Sequence, residues 1–262
     1  MPSAPATAVS LSSVRLDRGG RTILRDLNLA IPSGSMTTVL GPSGTGKSTL
    51  LAAMTGELVP AAGHVQVFGH DVPRSARGLL AMRKGLGVLL QGNGLLTDLT
   101  VAENVALPLQ AHTRLTASQR QQRVLEKLAA VGLADAADLY PRELSGGMAR
   151  RAALARAIAL DPPLLLCDEP LTGLDPIASA VIMRLLRQLN QELGLTCIVV
   201  SHHVRETLPM CDHAVVIANG TVLFDGSPEA LQASTNPLIQ QFLRGDPDGP
   251  IAFASTPTQQ AA

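Results

Sequence analysis

No apolar run in this chain approaches the roughly 18 residues of a membrane span, and Met1 to Ala8 lacks the basic-then-apolar order of a secretion signal. Net charge is absent too. Twenty-one Lys and Arg balance 21 Asp and Glu, so no global field draws the chain to nucleic acid or an anionic membrane, and any such contact must be local. Cysteine is scarce: Cys167, Cys197 and Cys211 lie in or beside apolar runs without C-x-x-C spacing, which reads as reduced core thiols rather than a metal site. Aromatic residues are 2% of the chain. Together these absences predict a protein made and kept in the cytosol. Its 262 residues suffice for a full core, as one large domain or two small ones.

What is present is organised around Gly41-Pro42-Ser43-Gly44-Thr45-Gly46-Lys47-Ser48. This fits G-x-x-x-x-G-K-[ST], in which backbone N–H groups wrap a phosphate chain, the lysine adds a mobile charge and the hydroxyl can ligand Mg2+. A flexible surface loop is the bland alternative. The flanks argue against it: Ser35 to Leu40 reads as a buried strand and Ser48 to Thr55 as a helix stopped by Gly56, placing the phosphates at a helix N-terminus.

Upstream, Val9, Leu11, Val14 and Leu16, then Ile23, Leu27, Leu29 and Ile31 after Gly19-Gly20, predict an antiparallel sheet with one solvated face. His64 to Phe68 reads as another strand, with His64 and His70 as surface residues. From Leu99 to Leu139 helical spacing dominates. Thr116 and Gln119 make a capping box, Val124, Leu125, Leu128 and Val131 a stripe, and Gly132 a stop. Farther on, Leu164–Cys167, Thr196–Val200 and Ala214–Ala218 read as buried parallel strands. Pro176 to Leu193 reads as a helix with Ile177, Val181, Leu185 and Leu189 on one face, and Asn219-Gly220 as a hairpin.

Three further patterns carry chemistry. An apolar strand ends in Asp168-Glu169, an acid to hold Mg2+ and a second to polarise water. Ser145, Gly146 and Gly147 open a helix read as Met148 to Leu160, a second anion-binding N-terminus. Val199-Val200-Ser201-His202 delivers a histidine at a strand's C-terminal edge, where open sheets bind ligands.

GPSGTGKS, Gln91, LSGGM, LLLCDEP, Gly173-Leu-Asp175 and His202, in this order, resemble the nucleotide-binding subunit of ATP-binding cassette (ABC) transporters over about Val9 to Leu243. P-loop GTPases and small-molecule kinases lack LSGGx, and no Asn-Lys-x-Asp motif occurs. The runs ELSGGMARRAALARAIALDP, Leu95 to Val105 and Gln241 to Pro250 resemble, more narrowly, ATPases of the Mla (maintenance of lipid asymmetry) group, allied to MCE-type transporters.

The resemblance implies an α/β P-loop NTPase cassette: a RecA-like parallel sheet, an N-terminal antiparallel β subdomain, and a helical subdomain over about residues 92–151. The cassette would span 1–244 and a tail 245–262. It implies ATP and Mg2+, with Gly41 to Gly46 and Lys47 around the β- and γ-phosphates, Thr49 at the α-phosphate, and Ser48, Gln91 and Asp168 at the metal. Glu169 would be the general base and His202 would touch the γ-phosphate. Ser145, Gly146 and Gly147 would close on ATP held by the opposite protomer, with Asp175 between the two sites of a homodimer. Residues after Gln91 would grip an integral membrane permease. An MCE-type lipid-binding subunit and a small STAS-type subunit are the further partners implied, with no nucleic acid. The chain would sit on the cytoplasmic side of the inner membrane and drive phospholipid transport. Another transported substrate is the alternative, and a non-transport ABC protein a weaker one, since neither a second cassette nor a long coiled coil is present.

This sequence departs from the family pattern at Met148 (Gln in many members), Arg18 (where an aromatic residue stacks on adenine), Leu96 (often Phe) and His203 (often Asp). A guanidinium can also stack. In the tail, Ile251 and Phe253 sit in a polar, proline-rich run, and either dock on folded surface or belong to a loosely held terminus.

Overall fold

In the computed structural model, which describes residues 6–251, the alternating N-terminal segment forms the expected hairpin. Strands β1 (Thr7–Arg18) and β2 (Arg21–Pro32) turn at Gly19 and Gly20, whose φ values of 58° and 75° match the twist of a tight hairpin. The chain then makes β3 (Met36–Leu40) and α1 (Lys47–Met54) before β4 (Ala62–Val67) and β5 (His70–Asp71) complete a four-stranded sheet, β2-β1-β4-β5. His64 and His70 are exposed on it, as read from the sequence.

A second sheet holds the centre. After α2 (Ala76–Arg83) comes β6 (Leu86–Leu89), then the helices α3 (Val101–His112), α4 (Ala117–Ala130) and α5 (Gly146–Ala157). The chain alternates thereafter: β7 (Leu164–Asp168), α6 (Pro176–Leu193), β8 (Thr196–Ser201), α7 (Val204–Thr207), β9 (His213–Ala218) and β10 (Thr221–Gly226). It closes with α8 (Pro228–Gln232) and α9 (Pro237–Arg244). The strand order is β10-β9-β3-β8-β7-β6. β9, β3, β8, β7 and β6 run parallel, while β10 pairs antiparallel with β9 across Asn219-Gly220.

Strand periodicity divides the side chains of β7 and β8 between two cores, while Leu40, Ala214 and Val216 join a third with Leu208, Leu231 and Ile239. Leu165, Cys167, Cys197 and Val199 pack with α3, α5 and α6, whereas Leu164, Leu166, Ile198 and Val200 pack with α1 and the antiparallel sheet. With both faces covered, these strands are apolar throughout rather than alternating.

The helices correct the sequence reading in detail. The Thr100–Glu103 and Thr116–Gln119 capping boxes both form. On α4, Val124 and Leu128 are buried with Val131 just beyond, but Leu125 is 41% exposed and leaves the stripe. On α6 the buried face is Ile182, Met183, Leu185, Leu186 and Leu189, whereas Ile177 is 79% exposed and Val181 39%. α5 starts two residues earlier than expected, because the Ser145 hydroxyl caps it by accepting from Met148 N, and it ends at Ala157.

No helix among the described residues is long and apolar enough to cross a membrane. Between Gly245 and Ile251 the chain is held: buried Gln241 donates to the Asp246 and Ile251 carbonyls at 3.2 and 3.3 Å and accepts from Ile251 N at 2.7 Å. Phe253, the other residue expected to dock, lies outside the described residues.

Candidate active site

Four segments converge at the C-terminal edge of the parallel strands, where open α/β sheets carry ligand sites. β3 leads into Gly41–Ser48, β6 into Gln91, β7 into Asp168-Glu169 and β8 into His202. The register levels their ends, since Leu40 pairs with Ser201 and Asp168 with Val200.

Close packing dictates the glycine loop. Gly41 has a φ of 151°, and a Cβ there would stand 2.1 Å from the Ile217 carbonyl oxygen, so no side chain fits. The back of the loop is self-bonded: Lys47 Nζ donates to the Gly41 and Pro42 carbonyls at 2.7 and 2.9 Å, and Thr45 Oγ1 to Pro42 at 2.8 Å. α1 begins on Gly46 with no side-chain cap, so its first N–H groups point into the cleft unclaimed by a capping side chain.

That cleft has a volume of about 390 Å³ and is walled by Ser43, Gly44, Gly46 to Thr49, Gln91, Glu169 and His202, with exposed Arg18 at its rim. This is within the size range of small-molecule sites. Across its floor Ser48 Oγ donates to Asp168 Oδ1 at 3.2 Å. His202 Nδ1 stands 3.0 Å from both Glu169 oxygens and hydrogen-bonds Oε1, leaving Oε2 buried with no hydrogen-bond partner among the described residues. Glu169 itself has a φ of 49°, rare for a non-glycine residue, and is pinned there by its N–H to the Val200 carbonyl at 2.9 Å.

Burial sets the charges in tension. It holds the Lys47 ammonium below the usual lysine value against the pull of Glu169 and Asp168. It also lifts Asp168 above the ordinary carboxylate range, helped by Glu169 and opposed by the Ser48 hydrogen bond and Lys47.

Ser145, Gly146, Gly147 and Asp175 do not join this cleft. They line another, of about 320 Å³, with Arg151, Leu174 and Val181. Among the described residues none borders both clefts. Asp175 Oδ1 caps α6, accepting from Ile177 N and Ala178 N at 2.9 Å. Apolar Val181 is exposed because it faces this second cleft rather than the core.

The structure adds residues that the sequence reading missed. Thr172 and Ile23 border the first cleft, and the Thr172 hydroxyl is buried without a partner among the described residues. Arg150, 3% exposed, donates through Nη1 to the Leu90 and Gln91 carbonyls at 3.0 Å and through Nη2 to Thr172 at 3.2 Å. Arg156 holds Asn93 and Gly94, and fully buried Asn104 makes four hydrogen bonds to backbone at Leu96, Leu99 and Thr100. The segment after Gln91 is thus fastened to the helices. No spacing marks these partners, because Arg150 lies 60 residues from Leu90.

A P-loop on this edge, an acid pair on the next strand but one, a facing histidine and a separate LSGGM cleft define a nucleotide-hydrolysing cassette. Residues 24–172 match the family model described as ABC transporter, and the chain belongs to that family. Its activity is ATP hydrolysis. It is similar to the intermembrane phospholipid transport system ATP-binding protein MlaF of Escherichia coli K12, with 46% identity over 97% of this chain and 94% of that one. The MlaF of Haemophilus influenzae is 48% identical over 94% and 93%. Among solved structures, a dimeric post-hydrolysis form of the cassette MJ0796 bound to ADP and Pi superposes with a TM-score of 0.76 at 32% identity, covering 84% of this chain and 98% of that one.

Proposed function

We propose that this chain is the ATP-hydrolysing subunit of an Mla-type transporter that moves phospholipid between the inner and outer membranes of a Gram-negative envelope. The observation that carries the reading is near-full-length identity of 46–48% to two MlaF proteins; the cleft lined by Lys47, Ser48, Gln91, Glu169 and His202 supports it.

ATP enters the first cleft with its phosphates on the α1 N-terminus. There Lys47 exchanges two carbonyls for phosphate oxygens, which compensate an ammonium that burial disfavours. The rim position of Arg18 suits stacking on the base. Ser48 and Asp168 offer hard oxygen donors, with Gln91 alongside, a set that fits Mg2+. Bound there, Mg2+ would neutralise charge on the β- and γ-phosphates. Glu169 takes the proton of the attacking water, and His202 holds that carboxylate in line and contacts the γ-phosphate. Because the Ser145–Gly147 cleft and the P-loop cleft share no lining residue among the described residues, its anion-binding N-terminus closes on nucleotide held by a second copy. The chain works as a homodimer at the cytoplasmic side of the inner membrane. It is joined to a permease and, in this reading, to MCE-type and STAS-type subunits.

The test is to purify the tagged chain from envelopes, identify copurifying subunits and lipid, and reconstitute the complex with fluorescent phospholipid. Wild type moves lipid only with Mg-ATP. Glu169→Gln still binds ATP but loses turnover and transport by about 100-fold or more. Glu169→Gln turnover within about threefold of wild type would remove the base from its role, and a complex that moves no lipid would overturn the transport reading.

A further inference from the structure

His203, whose side chain the mechanism leaves unused, completes a cluster beside the cleft. One ligand atom from each of Glu169, His202 and His203 lies within 4.8 Å of the others. The imidazole rings have centroids 4.3 Å apart at a tilt of 36°, and His202 Nδ1 is already 3.0 Å from the carboxylate. We propose that these three side chains bind a borderline transition-metal dication, with Zn2+ as the type ion, and that the bound ion locks the nucleotide-free chain in an inactive form.

The chemistry selects the ion. Two imidazole nitrogens and one carboxylate oxygen suit Zn2+, Co2+ or Ni2+, whereas Mg2+ favours oxygen ligands alone. Tetrahedral bonds of about 2.1 Å place ligand atoms about 3.4 Å apart, so the widest separation must close by roughly 1.4 Å, within reach of side-chain rotation. The ion replaces the proton shared by His202 and Glu169 and leaves a fourth position for water. Glu169 Oε2, buried without a partner among the described residues, gains one. Access is open, since the side chains of Glu169, His202 and His203 are 12%, 43% and 30% exposed.

The backbone holds His203 in place without using its ring. His203 N donates to Ser201 Oγ at 3.0 Å, and its carbonyl accepts from Thr207 N and Oγ1 at 3.1 and 2.7 Å. The ring of His203 therefore contributes little to the turn; its nearest acid, Glu206, is 4.0 Å away. Binding of the ion withdraws Glu169 and His202 from the nucleotide, so metal occupancy and turnover exclude each other. This inhibitory half rests on the roles given to those two residues, but the binding half does not.

The experiment uses the untagged full-length chain. Nucleotide-free protein is titrated with Co2+, whose visible absorption reports tetrahedral coordination, and Zn2+ is then added in competition. ATP turnover is measured against free Zn2+ for wild type, His203→Ala and His64→Ala, the last a control at an exposed histidine. We expect one Co2+ per chain, displaced by Zn2+ and indifferent to millimolar Mg2+. His203→Ala should lose the Co2+ spectrum and keep metal-free turnover within about twofold, while half-inhibition shifts to about tenfold more Zn2+. His64→Ala should behave as wild type. A Co2+ spectrum that survives in His203→Ala, equal Zn2+ sensitivity of the two proteins, or a large metal-free loss in His203→Ala overturns the proposal. A chain without ATPase activity that still binds Co2+ through His203 would sink the functional reading and leave the site standing.

Discussion

Replacing Arg150 with methionine should slow ATP turnover about tenfold or more while moving the melting temperature by only a few degrees. The guanidinium makes three hydrogen bonds to carbonyls of Leu90, Gln91 and Thr172, worth roughly 5–9 kcal/mol together at the usual figure for a charged donor. Against this stands the cost of burying the charge, several kcal/mol, plus about 1–3 kcal/mol for Nε, which is buried without a partner among the described residues. The freed carbonyls are not stranded. Leu90 and Gln91 are exposed residues and Thr172 is half-buried, so water can take over part of the lost bonds. The net change in stability is therefore within about 2 kcal/mol, or at most about 8 °C for a chain of this size. Position is another matter: the fork is the hydrogen-bonded link between the Gln91 backbone and the Thr172 loop among the described residues, and misplacement of an active-site group by about 1 Å can cost as much as 100-fold in rate. Lysine reaches one carbonyl but cannot make the fork, so Arg150→Lys should recover only part of the rate. The assay combines kcat and KM for ATP, melting, and amide exchange at residues 90–94. A kcat within twofold of wild type alongside faster exchange would refute the tether. A fall in melting temperature beyond about 15 °C would make Arg150 a stability element instead.

Two glycines of the P-loop should separate packing from conformation. Gly41→Ala drives its Cβ into the Ile217 carbonyl and should abolish ATP binding and lower melting by about 5 °C or more, while Gly44→Ala, with nothing within 4 Å, should keep the fold at a cost of about 1 kcal/mol; equal effects would refute the packing account. Lys47→Ala and Ser145→Arg, each inactive alone, should regain activity when mixed as exchanging heterodimers, since one composite site is then intact, and no recovery after demonstrated exchange would argue against sites shared between chains. Burial pushes the Asp212 carboxyl up, but the Arg187 fork and Met36 N–H outweigh it and leave it below the usual aspartate value. A depressed value stabilises above the unfolded pKa of about 3.9 and is lost as pH falls through the folded one. Discounted for 42% exposure, Asp212→Asn should lower melting by roughly 2–4 °C at pH 7 and by nothing once the wild-type carboxyl is protonated; a gap that widens in acid would refute this.

The parts of the site that were legible are those in which one short stretch does the work. GPSGTGKS carries strand, turn and helix start together, and Asp168-Glu169 and His202 follow short apolar runs that read as buried strands. Arg150 was illegible because its partners are backbone carbonyls brought near by the fold, Asn104 because its partners, though within eight residues, are backbone groups, and Thr172 because only the fold brings it to the cleft; none of these leaves a mark in a sequence. Ile177 and Val181 were misread for a different reason. Periodicity reports that a helix face is apolar, but not whether the chain's own core or a neighbouring surface covers it, and Val181 borders the LSGGM cleft instead of the core. Leu125 fits the spacing of its neighbours yet sits about 100° round the helix from Val124, enough to bring it into solvent.

The strand order also sets a timetable for synthesis. β3 is finished at Leu40, but its neighbours in the sheet are β8 and β9, so Met36 waits for Cys197 and Leu40 for Val216. At ribosomal speeds of about 5–20 residues per second, the strand feeding the P-loop spends on the order of 10–40 s without a native partner on either edge. The antiparallel layer can assemble from its own hairpin meanwhile, and the helices can form turn by turn. The nucleotide cleft cannot, because its last wall, His202, arrives only after three-quarters of the chain has been made. The complete cleft is thus available to ATP only once the sheet closes, and rare codons placed after β9 would delay folding far less than the same codons placed before β8.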